Sequence, residues 1–205
     1  MEWHTQLRGY YAVVDRDDPA LAAALLDHAR VVQLRIKSAS LDTLAGVAAW
    51  LGPLSRERGS LFVINDHIEL ALACGADAVH LGQDDGSVAE ARQAADARGQ
   101  SLLVGVSTHT PAQVAAAVAA GADYLGFGPV FATGTKANPD PVVGLAGLAE
   151  AVRFAAPVPV VAIGGITALT AAQVARAGAH AACVIAAVNR AASPRAAAAA
   201  IAGVF

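Results

Sequence analysis

The chain has 205 residues, of which 56% are hydrophobic and 15% are charged, with a formal net charge of −3. Those proportions exclude a disordered chain and supply enough apolar side chains for one sizeable core. They also leave no global basic field to recruit nucleic acid.

Two cysteines, Cys74 and Cys183, do not amount to a disulfide framework. Each sits among small apolar residues and reads as an inert thiol in a reducing compartment. The opening MEWHTQLRGYY carries charge and lacks the apolar centre of a secretory signal. No uncharged apolar run reaches the ~18 residues that span a bilayer. The expectation is a soluble, cytoplasmic protein with no nucleic-acid or membrane partner; a homo-oligomer is compatible with the sequence.

Short apolar runs alternate along the chain with alanine-rich stretches of helical period. Strands are predicted at 9–14 (GYYAVV), 31–36 (VVQLRI), 60–64 (SLFVI) and 77–81 (DAVHL). Four more follow at 101–106 (SLLVGV), 123–127 (DYLGF), 158–163 (VPVVAI) and 181–185 (AACVI). Helices are predicted over 18–29, 40–58, 66–74, 87–98, 110–120, 144–154, 167–177 and 189–202. Asp17, Ser40, Thr110 before Pro111, and Thr167 are the expected N-caps.

Eight near-continuous apolar strands, each followed by a helix, point to an α/β chain folded as a single compact (β/α)8 TIM barrel over 1–205. A weak repeat agrees. Gly75-Ala76-Asp77, Gly121-Ala122-Asp123 and Gly178-Ala179-His180 each close a helix and open a strand. Glycine there suits the left-handed position after a helix. The chain is shorter than the ~250 residues typical of this barrel, so its loops must be tight. The alternative is an open doubly wound sheet, but no Gly-rich turn follows the first strand to make its dinucleotide-binding form.

Nearly every unusual polar residue falls at the C-terminal end of a predicted strand. In VVQLRIK, alternation puts Gln33, Arg35 and Lys37 on one face. Asn65 and Asp66 end the third strand; Gln83, Asp84 and Asp85 follow the fourth. Ser107 ends the fifth, Thr133, Thr135 and Lys136 lie beyond the sixth, and Gly164-Gly165 follows the seventh. In a (β/α)8 barrel these ends converge on the mouth where active sites lie. Arg35, Lys37 and Lys136 with Asp66 and Asp85 suit a magnesium diphosphate: carboxylates hold Mg2+, and phosphate oxygens complete its shell. The Gly164-Gly165 turn and the start of the helix after the eighth strand suggest a second anion site. The segment GPVFATGTKANPDPVVG, from Gly128 to Gly144, reads as a lid carrying Lys136.

Plainer readings stand beside these. Arg35 and Lys37 also suit interior salt bridges with Asp66 and Asp85, although burying four charges is costly. Asn65-Asp66 also suits a helix N-cap. His80, inside a strand, reads as a hydrogen-bonded core histidine. His109, at the mouth, is a candidate acid or base. His4, His28, His67 and His180 have no metal-ligand spacing.

The motifs QLRIK, FVINDHIELALACGADAVHLGQDD, GVSTHT, GADYLGFGPVFATGTK and VVAIGGI occur in this order between Tyr10 and Val188. Together they resemble the thiamin phosphate synthase family and its thiazole tautomerase superfamily. The resemblance implies a (β/α)8 barrel that joins hydroxymethylpyrimidine diphosphate to a thiazole phosphate, with Mg2+. It implies that Gln33, Arg35, Lys37, Asn65, Ser107 and Lys136 hold the pyrimidine diphosphate. Of these, Arg35, Lys37, Ser107 and Lys136 would be catalytic. Asp66 and Asp85 would bind Mg2+. Thr133, Thr135, Gly165, Ile185 and Ala186 would lie at the thiazole phosphate.

Three positions depart from the family pattern. Ile36 replaces an acidic residue and is expected to face the helices. Gly134 replaces a proline, which should loosen the lid. Ala186 replaces a serine and removes a hydroxyl from the monophosphate site. The competing functions are a thiazole tautomerase-like isomerase, with His109 as acid or base, and a non-catalytic phosphate-ligand barrel. The isomerase needs neither diphosphate nor metal, so the retained charges favour the synthase.

Overall fold

Each apolar run pairs with its neighbours because the helix that follows it covers its outer face. The computed structural model describes residues 3–134 and 140–205. Its strands are β1 Gly9–Val14, β2 Ala29–Leu34, β3 Leu61–Asn65, β4 Ala78–Leu81, β5 Leu103–Thr108, β6 Tyr124–Phe127, β7 Val160–Ile163 and β8 Ala181–Cys183. All pair in parallel in sequence order, and β8 closes onto β1. The chain is therefore the expected (β/α)8 barrel, not an open sheet.

The helices are α1 Trp3–Gln6, α2 Pro19–Leu26, α3 Leu41–Glu57, α4 Ile68–Ala73, α5 Val88–Asp96, α6 Pro111–Ala119, α7 Gly144–Ala155, α8 Ala171–Arg176, α9 Ala186–Asn189 and α10 Pro194–Ala202. Three expected caps or boundaries move. The α2 cap is Asp18, not Asp17: Pro19 fixes the first helical residue, and Asp18 Oδ1 accepts from Leu21 N at 2.9 Å. Helix α8 starts at Ala171, because Thr167 is taken up in a turn in which its N–H donates to Thr170 Oγ1. The expected helix 189–202 starts late, as α10 at Pro194 capped by Ser193, and a short, unexpected α9 precedes it. Ser40 and Thr110 cap as expected, the latter in a capping box with Gln113.

Period-2 alternation divides the core. Tyr10, Ala12 and Val14 face outward to the helices, while Tyr11 and Val13 face inward. The interior holds Val31, Val63, Ala78, Tyr124, Val161 and Cys183, and Leu7 and Trp3 pack against this layer from the N-terminal side of β1. Burial pushes the Cys183 thiol up to about 12, consistent with an inert core thiol.

The repeat has a physical purpose at the floor of the barrel. Gly75, Gly121 and Gly178 adopt φ of 64°, 80° and 95° just past their helices. The polar residue two positions on then accepts a backbone N–H from the preceding strand. Asp77 Oδ2 accepts from Phe62 N at 2.8 Å, Asp123 Oδ2 from Val104 N at 2.6 Å, and His180 Nδ1 from Val160 N at 3.2 Å. Each motif thus ends a helix and satisfies a donor at a strand's start.

No helix among the described residues is long and apolar enough to cross a membrane.

Candidate active site

The C-terminal strand ends surround a cavity of about 860 Å³. Gln33, Arg35, Lys37, Asn65, Asp66, Asp85, Ser107, Thr133, Gly165, Ile185 and Ala186 all line it. The structure therefore brings together every expected site residue that it describes. Thr135 and Lys136 lie outside the described residues. Strand β2 ends two residues earlier than expected, at Leu34, so Arg35 and Lys37 follow the ladder. Alternation carries past the ladder all the same: Ile36 packs outward against the core while its neighbours line the cavity.

Asp66 shows how the backbone re-aims a side chain. It sits at φ 65°, in the left-handed region that Asp tolerates better than most residues. Its N–H donates to His80 O at 2.9 Å, and His67 N donates to Asn65 O at 2.8 Å. This turn separates Asp66 from α4, whose N-cap position is His67 with no side-chain cap bond. The cap reading of Asn65-Asp66 is therefore corrected: the Asp66 carboxyl faces the cavity.

Asp66 and Asp85 line the same part of the cavity and bear on each other's charge. Desolvation, then the charge of Asp85, raises Asp66 to about 6; Arg35 and His67 pull the other way. Arg35 makes no ion pair with either carboxylate among the described residues, so the interior salt-bridge reading fails for it. Asp85 is steadied by Gly82 N, which donates to its Oδ2 at 3.1 Å. Two neighbouring carboxylates at the cavity wall are a hard-oxygen donor set that fits Mg2+. That ion commonly takes one or two carboxylates and leaves its remaining positions to phosphate and water. Among the described residues no group of three or more His, Cys, Asp or Glu gathers around a common point.

Opposite lies the glycine turn. Gly164 and Gly165 have φ of 95° and 64°, and a Cβ on either would collide with the Pro129 to Ala132 backbone. The two loops touch backbone to backbone, and Phe131 N donates to Gly164 O at 3.0 Å. Arg190, an exposed residue just after α9, lines the same cavity. Its place in the sequence conceals it, because it follows no strand end and falls inside an expected helix.

The floor of the cavity has no local signal in the sequence either. Gln33 Nε2 donates to Tyr11 Oη at 3.0 Å, and Tyr11 and Tyr124 hydroxyls meet at 3.0 Å. Tyr124 Oη lies 3.1 Å from His80 Nδ1, and His80 Nε2 lies 2.9 Å from Ser107 Oγ. Burial pushes both phenols up and His80 down to about 4, so all three are neutral at neutral pH. His80 is hydrogen-bonded through both ring nitrogens, as the core-histidine reading expects, yet it also lines the cavity. His109 donates from Nδ1 to Gly128 O at 2.6 Å, and its Nε2 faces Asp140 Oδ2 at 3.4 Å. That holds its ring at the cavity wall.

A closed parallel barrel with ionisable side chains gathered at its strand C-termini defines a (β/α)8-barrel enzyme. The family model for thiamine monophosphate synthase matches residues 10–188. A thiamine-phosphate synthase of Anaeromyxobacter dehalogenans is 46% identical over 202 residues, covering 98% of this chain and 89% of that one. One of Methanoregula boonei is 44% identical over 160 residues, covering 78% and 72%. The solved thiamine phosphate pyrophosphorylase of Pyrococcus furiosus superposes with a TM-score of 0.87 at 33% identity, covering 99% and 97%. The chain belongs to the thiamine monophosphate synthase family.

Proposed function

We propose that the chain is a transferase that joins hydroxymethylpyrimidine diphosphate to thiazole phosphate, forming thiamin phosphate and releasing diphosphate. The observation that carries this reading is the neighbouring pair Asp66 and Asp85 on the same rim as Arg35 and Lys37, across from the Gly164-Gly165 turn. In the proposed roles, Gln33, Arg35, Lys37, Asn65, Ser107 and Lys136 hold the pyrimidine diphosphate. Thr133, Thr135, Gly165, Ile185 and Ala186 receive the thiazole phosphate, and Arg190 adds a cation at that end. Asp66 and Asp85 hold Mg2+, which when bound supplies positive charge to the diphosphate oxygens.

The chemistry follows from charge. The carbon–oxygen bond to the diphosphate breaks with its electron pair leaving on oxygen, and the aminopyrimidine ring stabilises the carbon cation. The thiazole nitrogen then gives its lone pair to that carbon, and no proton need be lost. Arg35, Lys37 and Lys136 stabilise the departing charge more in the transition state than in the ground state. Holding both substrates in one cavity supplies the orientation. No protein nucleophile is needed, and the neutral, fully engaged His80 is not arranged as one. His109 engages Gly128 O and Asp140, and the retained charges at Asp66, Asp85 and Arg35 favour the transferase over the isomerase and the binding barrel.

The test is direct: purified protein, both substrates and Mg2+ should yield thiamin phosphate and diphosphate in equal amounts. Tautomerisation of the thiazole carboxylate with no coupled product would overturn the reading.

A further inference from the structure

We infer that Tyr11, Tyr124 and His80 are positioning residues that couple Gln33 to Ser107 through one hydrogen-bond chain with a single direction. The chain crosses the barrel from β2 through β1, β6 and β4 to β5, with links of 3.0, 3.0, 3.1 and 2.9 Å. Each tyrosine hydroxyl has one proton, and a neutral imidazole has one N–H. Every link is made and every hydroxyl and ring proton of the chain is placed in only two ways, all donating one way or all the other. A mixed arrangement leaves a buried group unsatisfied.

The Gln33 end sets the direction. With Nε2 toward Tyr11, Tyr11 donates to Tyr124, and Tyr124 donates to His80 Nδ1. His80 is then the Nε2–H tautomer and donates to Ser107 Oγ. The Ser107 proton is left for the cavity, and Gln33 Oε1 is the amide atom the chain does not use. Turning the Gln33 amide over reverses every link, and Ser107 must then spend its proton on His80. The chain thus matches a ligand that meets an acceptor at Gln33 and a donor at Ser107, and it couples the two choices.

The surroundings fit a fixed chain. Tyr11 and Tyr124 are 2% exposed and Gln33 5%, so water does not compete for the first two links; His80 and Ser107, half-buried, carry the chain to the cavity. Two glycines make room for the rings. A Cβ on Gly105 would overlap Tyr124, and one on Gly126 would stand 3.1 Å from His80 Cε1.

The coupling belongs to the free protein; only the contact of its ends with ligand rests on the function proposed above. The test therefore needs no substrate. Nitrogen–proton correlation spectra of protein with isotope-labelled histidine report the His80 tautomer, assigned by the signal that disappears in His80→Gln. The wild type should show Nε2–H. Gln33→Glu, ionised at alkaline pH, can only accept from Tyr11 and should switch His80 to Nδ1–H from three links away. Tyr11→Phe cuts the chain, so in that background Gln33→Glu should leave the tautomer unmoved. A wild-type Nδ1–H tautomer, or one that ignores residue 33 when Tyr11 is present, would overturn the inference. Loss of thiamin phosphate formation with an intact tautomer switch would instead count against the function alone.

Discussion

Gly105 lies against the ring of Tyr124, so close that a Cβ at position 105 would overlap ring carbons and the phenol oxygen. The two residues are partners across the β5–β6 pairing, and the missing side chain on one strand accommodates the ring of the next. Gly105→Ala should therefore act as overpacking, at a cost of about 1–3 kcal/mol, read as a lower urea midpoint with an unchanged slope. Tyr124→Leu in the same background should recover part of that stability without recovering activity. A Gly105→Ala protein as stable as wild type would show that the ring moves aside freely.

Asp66 carries a second prediction, because its placement is unfavourable without a cation. Its pKa is raised from 3.8 to about 6, so in that interval the folded chain holds a proton the unfolded chain has lost. Stability from this group therefore falls as pH rises through that window and is level above it. Asp66→Asn removes the repulsion with Asp85. In metal-free protein it should add up to ~1 kcal/mol near pH 8, after allowance for solvent screening, and almost nothing near pH 4. The same variant should raise the Mg2+ needed for half-maximal rate by at least ~10-fold, since loss of a mere outer partner commonly costs that much. An unaltered magnesium titration would remove Asp66 from the proposed metal site.

The legible and illegible parts of the site differ in range. Strand β1 falls where its apolar run predicts, and Gln33, Arg35 and Lys37 share the cavity as their alternation requires. Those features depend on local period and on the rule that strand C-termini converge. The floor depends on contacts between residues far apart in sequence: Tyr11 meets Tyr124, 113 positions away. A tyrosine in an apolar strand reads as core, and nothing local says that its hydroxyl will find another. Asp77 and Asp123 were legible as a repeat but not as acceptors, because the donors they satisfy belong to the neighbouring strand. The start of α10 carried a signal, Ser193-Pro194, that an alanine-rich background concealed.

For Lys136, outside the described residues, the expectation rests on the TGTK motif and the proposed leaving-group chemistry. Lys136→Ala should lower kcat by about 10²-fold, the usual effect of deleting one preorganised charge or donor. If Lys136 lies in the lid that the sequence predicts, the substitution should change stability by no more than about 0.5 kcal/mol. Rapid-quench measurement of product formation separates the chemical step from release. An unchanged chemical rate would take this lysine out of the mechanism.

Arg190 tests whether the monophosphate end compensates for Ala186, which offers no hydroxyl. Arg190→Ala deletes the cation at that end and should raise KM for thiazole phosphate by about 10-fold, within the range for hydrogen bonds to charged groups. KM for the pyrimidine diphosphate should not change, and kcat should change little, because this is binding shared by ground and transition states. Ala186→Ser in the Arg190→Ala background should restore part of the affinity. Equal effects on both substrates would place Arg190 elsewhere in the mechanism.

The opposite face of the barrel should separate stability from activity. Asp123 Oδ2 accepts from Val104 N at 2.6 Å and pairs with Arg92 at 2.7 Å, with its side chain 19% exposed. Arg92 also donates to the backbone carbonyls of Leu102 and Gly121, so one guanidinium joins the end of α6 to the start of β5. Asp123→Ala leaves the Val104 N–H without its acceptor and should cost about 1–3 kcal/mol, measured by chemical denaturation. Asp123→Asn keeps an acceptor oxygen and should lose less. Neither should alter kcat below the unfolding transition, because residues at the N-terminal face of such a barrel serve its stability rather than its chemistry. A drop in kcat with stability intact would mean that the floor of the barrel communicates with the mouth, and the interior layer around Tyr124, the residue that follows Asp123 in the chain, would be the route to examine.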